Sequence, residues 1–192
     1  MMKLKYELVP VEGSELFRVR ALRDIPRFGV HAGDLGGLVE GENNLSQTGD
    51  AWIGGNARVF GDAWVFGDAW VDGNAWVYGD ARVFGDARVF DRARVFGDAW
   101  VFGDARVFVD ARVFGSARML GNAHVFGNAS VFGNARVFEG AWVFGNAWVF
   151  GDAQVLGNTW VHGDVRVLGN TRVLGNARVC GDTRVDGFEL VD

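Results

Sequence analysis

Few side chains in this sequence have the reach for chemistry: three histidines, one cysteine and a long series of arginines. A histidine near neutral pH can take a proton from an acceptor hydroxyl or amine, so His124 and His162 are the candidate general bases, with His31 set apart near the N-terminus. Zinc catalysis needs three protein ligands and an open position. Cys180 occupies the eighteenth position after His162, and the two make at most a pair of ligands with no convincing third, so no metal site is expected. Arg88, Arg106, His124 and Trp142 are set at the same interval, each at the eighteenth position after the last. Guanidinium groups grip phosphate or carboxylate and an indole face can stack a base, so these four are the candidate site for a small anionic or nucleotide-like ligand. No glycine-rich phosphate loop accompanies them, because the Gly-Asn and Gly-Asp pairs recur along the whole chain.

The element that must position these residues is a repeat. From Ile53 to Val185 every sixth residue is apolar: Ile53, Met119 and otherwise Val. Two residues before each stands Ala, replaced only by Thr159, Val165, Thr171 and Thr183. A helical period of 3.6 cannot produce this, whereas a strict six-residue period with small turn residues suits a parallel β-solenoid. In Ala63-Trp64-Val65-Phe66 residues two apart share a face, and an unpaired Arg is too costly to bury in the Trp slot. Ala and Val therefore face inward, and Trp/Arg and Phe face outward. Gly67-Asp68 turns the corner, where positive φ costs Gly little. Three units close a triangular coil, and the repeats give about eight coils spaced ~4.8 Å apart.

Val65 followed by Ala69, and Val71 by Ala75, match the signature of the bacterial hexapeptide-repeat proteins, and the chain resembles that superfamily over residues 35–187. The resemblance implies an all-β, left-handed, single-stranded parallel β-helix and a trimer. Bactofilin-like right-handed solenoids are the architectural alternative. Lys3 to Val11 and Glu15 to Arg23 read as two strands joined at Glu12-Gly13-Ser14, and the register places Leu35 in the Val slot and Val39 in the Ala slot. Residues 1–34 thus form a small β cap, similar to the N-terminal part of the YdcK-like branch of bacteria and their phages. Residues 188–192 are a short tail, in which Phe188 and Leu190 are placed to fold over the last coil.

The resemblance also brings enzymes into view, because many hexapeptide-repeat proteins are acyltransferases with a histidine base at a subunit cleft. His124 and His162 occupy an outward slot and a Phe slot, yet no loop interrupts the coils to build acceptor or cofactor sites. No cofactor is expected, and acyl transfer is the third reading. The first is a non-enzymatic structural or interaction module, a rigid solenoid that self-associates through outward Trp, Phe and Arg ladders, since such residues enrich interface cores. The second is a binder or sequestering protein for a small anion at a subunit seam.

Counting coil by coil assigns the outward residues to three walls. The first carries Arg58, Trp76, Arg94, Arg112, Ser130, Trp148, Arg166 and Arg184; the second Trp64, Arg82, Trp100, Arg118, Arg136, Gln154 and Arg172; the third Trp52, Trp70, Arg88, Arg106, His124, Trp142, Trp160 and Arg178. Corner rows of Asp50, Asp68, Asp86 and Asp104, and of Asp62, Asp80 and Asp98, repel one another unless neutralised, and arginines of the flanking strands are the expected partners. Gly gives way at three corners to Asp91, Val109 and Glu139. The net charge of −5 argues against bulk nucleic-acid binding. The absence of an apolar N-terminal core or long apolar run, together with a single cysteine, points to the cytoplasm and away from the membrane.

Overall fold

The computed structural model describes residues 4–187 and 189–191. Its strands form three parallel walls, two of eight strands and a third that the N-terminal strands extend to eleven. Neighbouring strands in a wall are separated in the chain by one full coil. Arg88 pairs with Arg106, Arg106 with His124 and His124 with Trp142 on the third wall, and the other two walls repeat the pattern. The chain is thus an all-β parallel solenoid, with 3-10 turns at Pro26–Phe28 and Glu42–Asn44 as the only helical segments among the described residues.

The interior is the thin Ala/Val prism that the alternation demands. Ala63, Val65, Ala69 and Val71 are wholly buried, and so are their counterparts through Val173. The corners follow the left-handed backbone rule. Gly103 has φ 69°, and a Cβ there would lie 2.9 Å from the amide nitrogen of Gly121 in the next coil. Asp91, Val109 and Glu139 nevertheless hold φ values of 60°, 63° and 60°. At the first of these the strain is partly offset, because the Asp91 carboxylate accepts the Val109 amide N–H at 3.1 Å.

The N-terminal segment contributes strands β1 (Tyr6–Pro10) and β2 (Phe17–Ala21), an antiparallel hairpin, and β3 (Leu35–Val39), which joins β2 antiparallel and the first regular coil in parallel. Here the register differs from the expectation. Val39 aligns with Val59 and Leu45 with Val65, each pairing longer than the regular coil, so Val39 sits in the Val slot while Leu35 is 61% exposed. The loop from Leu45 to Ile53 is two positions longer than a repeat unit, and counting back by whole coils across it reaches the wrong slot. The lengthened loop has a use: Gln47 bonds the backbone where β1 begins, at Lys5 N, Tyr6 N and Tyr6 O.

Backbone polarity explains the composition of this cap. Outward and corner N–H groups donate to the following coil, as in Trp52 to Ala69 O (2.9 Å), Gly54 to Val71 O (2.8 Å) and Asn56 to Gly73 O (2.8 Å). The first coil is left with carbonyls facing the cap, and buried carbonyls need donors. Tyr6 Oη donates to Leu45 O (2.6 Å), Lys5 Nζ to Ala51 O (2.7 Å), Arg23 Nη2 to Gly49 O (2.9 Å), and Asn44 Nδ2 to Gly61 O and Ala63 O (2.9 Å each). At the far end Leu190 aligns with Val173 and packs half-buried against the core, whereas Phe188 lies outside the described residues.

Candidate functional site

The solenoid places its outward residues on the walls in the order counted from the sequence. What they touch differs from the expectation. Seven wall arginines lie along the prism axis over the indole of a neighbouring coil. Arg58 and Arg94 cover the two neighbouring positions of Trp76 at 5.5 and 5.3 Å, and Arg82 and Arg118 do so for Trp100 at 5.2 and 5.0 Å. Arg88 lies over Trp70, Arg166 over Trp148 and Arg178 over Trp160. Each exposed contact of this type contributes ~0.5–1 kcal/mol.

The corner carboxylates accordingly find other partners. Arg23 of the cap pairs with Asp50 at 3.2 Å, and Arg27 bridges Asp68 at 3.5 Å and Asp86. The cap thus neutralises the first three members of the aspartate row, a correction to the expected wall arginines. At the corner between the third and first walls asparagine replaces repulsion with a bond: Asn128 donates to Asn146 at 3.1 Å, and Asn146 to Asp164 at 2.9 Å. The unusual corner of Arg92 and Asp110 closes as an ion pair at 2.7 Å.

The Phe slot builds ladders along the prism edges. Phe60, Tyr78, Phe96, Phe114, Phe132 and Phe150 stack with centroids 4.8 to 5.1 Å apart and planes within 3°. The rings are half-buried rather than freely exposed, because each covers the next coil. Trp64, Trp142 and Trp148 stand further out, at 41%, 36% and 44% exposure.

Arg88, Arg106, His124 and Trp142 do come together in four successive coils. His124 stacks on Trp142 at 5.0 Å, and Trp142 stacks on Trp160 at 5.5 Å, so both neighbours of this indole along the wall are rings. His124 Nδ1 is engaged with Asn122 O at 2.7 Å. Burial first, and then the nearby Arg106 guanidinium, hold the imidazole pKa below its usual value despite the Asn122 contact. His162 stacks on Phe144 at 4.7 Å, and Cys180 is exposed. Among the described residues no three His, Cys, Asp or Glu side chains gather as a metal site. No helix among them is long and apolar enough to cross a membrane.

Concave surface concentrates where the repeat is broken. A cleft of about 480 Å³ opens between the β1–β2 turn and the first wall, lined by Glu15, Glu40, Arg58, Phe60 and Trp76 among others. A second, of about 270 Å³, lies where Gly54 and Asp72 replace aromatic residues beneath Phe28. A third, of about 220 Å³, lies at Leu120 on the second wall. Sequence reasoning missed all three, although the substitutions in the Phe slot were a legible signal for the last two.

A family model described as YdcK Beta solenoid repeat matches residues 51–67. With the eight-coil walls already in view, the chain fits a YdcK-like repeat protein. The matched stretch, Ala51 to Gly67, holds the first units of the unbroken repeat, where Ile53, Val59 and Val65 enter the core of this YdcK-like solenoid. No curated protein matches the chain.

Proposed function

We propose that this protein is a non-enzymatic structural or interaction module: a rigid cytoplasmic solenoid that associates with copies of itself through its Trp, Phe and Arg ladders. The left-handed sense and the trimer implied by the hexapeptide resemblance belong to this reading. The observation that carries it is the exposure of Trp142 and Trp148. These indoles stand one repeat unit apart in one coil, on the two walls that meet at the Phe144-Gly145-Asn146 corner. Trp is the residue type most enriched at interface hot spots, and rigid flat walls lose little conformational entropy on association. Reading Arg88, Arg106, His124 and Trp142 as a seam site is secondary, because a ligand ring would have to displace His124 or Trp160 from Trp142.

Sedimentation equilibrium over about 1–100 µM tests the proposal, a range set by typical interface affinities. The native chain is expected to form a discrete oligomer. Trp142→Gln/Trp148→Gln, which borrows the residue type found at the equivalent wall position Gln154, is expected to shift it toward monomer with an unchanged far-UV spectrum. A native chain that stays monomeric throughout would overturn the proposal.

A further inference from the structure

Arginines stand opposite one another in adjacent coils on every wall, as Arg94 with Arg112, Arg118 with Arg136, and Arg88 with Arg106, and again as Arg166 with Arg184, where Asp186 already pairs with Arg184. Like charges on paired strands repel. Beside the first pair the aromatic ladder is continuous, with Phe96 and Phe114 stacked at 4.8 Å. Beside the third it is continuous too, with Phe90 and Phe108 at 4.9 Å. Beside Arg118 and Arg136 it is interrupted. Phe66, Phe84 and Phe102 stack at 4.7 and 4.8 Å, and then Leu120 takes the place of a ring before Phe138 resumes.

Phe102 and Phe138 are two coils apart, ~9.6 Å along the axis, an interval that one further ring would divide evenly. Leucine fills only part of it. The remaining cavity, about 220 Å³, is lined by Phe102, Arg118, Leu120, Arg136 and Phe138. Neither guanidinium has a carboxylate within ion-pair distance among the described residues. Other leucines in the Phe slot lack this setting. Leu156 has Leu174 on one side, and Leu168 has Asp186.

We propose that this gap is a binding site for a monocyclic aromatic carboxylate. The ring takes the missing place in the ladder between Phe102 and Phe138, and the carboxylate lies between Arg118 and Arg136. Aromatic pairs favour such stacking, and the planar guanidinium fork matches a carboxylate with two parallel hydrogen bonds. The anion also relieves the repulsion between the two arginines.

Calorimetric titration of the full chain with sodium benzoate tests the site. One saturable site per chain is expected, with a Kd of ~1 mM or tighter, as befits so small a ligand. Leu120→Phe restores the repeat residue, so the fold is kept while the gap is filled, and binding is expected to fall at least tenfold. Arg136→Gln is expected to weaken it by ~10–100-fold through loss of a charge-assisted contact. Cyclohexanecarboxylate has the same charge on a puckered ring and is expected to bind less tightly. No saturable benzoate binding, undiminished binding to Leu120→Phe, or equal affinity for the puckered acid would each overturn the proposal.

Discussion

Raising the pH should stabilise this protein in a range where many proteins begin to weaken, because of one lysine. Lys5 is wholly buried under the cap, with Nζ donating to Ala51 O at 2.7 Å. Burial above all, and then the Arg23 guanidinium, hold its pKa down to about 8 from 10.5, against an opposing pull from Asp50 and Asp68. Between those two values the unfolded chain binds more protons than the folded one, so stability rises with pH. Integrating the two pKa values from about pH 7.5 to 9.5 gives a gain of about 2 kcal/mol. Tyr6, pushed up to about 12 by burial and Glu42, works in the opposite sense. Its contribution is complete below pH 10 and is lost as the pH climbs toward 12, so it scarcely intrudes on the chosen window. Urea unfolding followed by tryptophan fluorescence should show the midpoint rising by ~0.7–1 M across the window, taking ~2–3 kcal/mol per molar urea for the slope. In Lys5→Met the rise should vanish. A flat midpoint in the native chain, or the same rise in Lys5→Met, would refute the reasoning.

Thr159 hides a hydroxyl with no hydrogen-bond partner in a slot that is usually Ala. Thr159→Ala should therefore stabilise by ~1 kcal/mol and raise the thermal midpoint by ~2–4 °C in calorimetry. Val109 is a β-branched residue at φ 63° and 37% exposed. Val109→Gly should gain ~1 kcal/mol by relieving that backbone, seen as a higher urea midpoint, and a lower midpoint would count against strain at this corner. Arg27 bridges two exposed carboxylates, so Arg27→Ala should cost ~0.5–1 kcal/mol at low ionic strength and almost nothing in ~1 M salt. A loss that salt does not diminish would mean that Arg27 acts through packing on Phe28.

The repeat made much of the fold legible. The wall pairings among the regular repeats from Ile53 onward follow the coil count, as Trp142 with Trp160 and Val143 with Val161 illustrate. The count failed between Leu45 and Ile53, where Ser46-Gln47-Thr48 takes the place of one Phe-slot residue and the lengthened loop shifts the phase. The partners of the charged residues were not legible either. Sequence distance suggested wall arginines for Asp68 and Asp86, yet their partner Arg27 lies far back in the chain and arrives by way of the cap.

Sequence alone determined the period, the inside and outside of each strand, and the corners. A prism this thin admits little beyond Ala and Val, a buried arginine is prohibitive, and a left-handed corner backbone favours glycine. Those constraints act on each repeat unit separately, so they leave their mark in every unit. Tertiary structure decided what depends on direction and depth. It turned Arg94 and Arg118 along the axis onto indoles, buried Lys5 against Ala51, and left a ring-sized gap at Leu120 between two arginines. Each depends on groups a full coil or more apart in the chain meeting in one place with a particular rotamer, and stacking the coils is what brings them there.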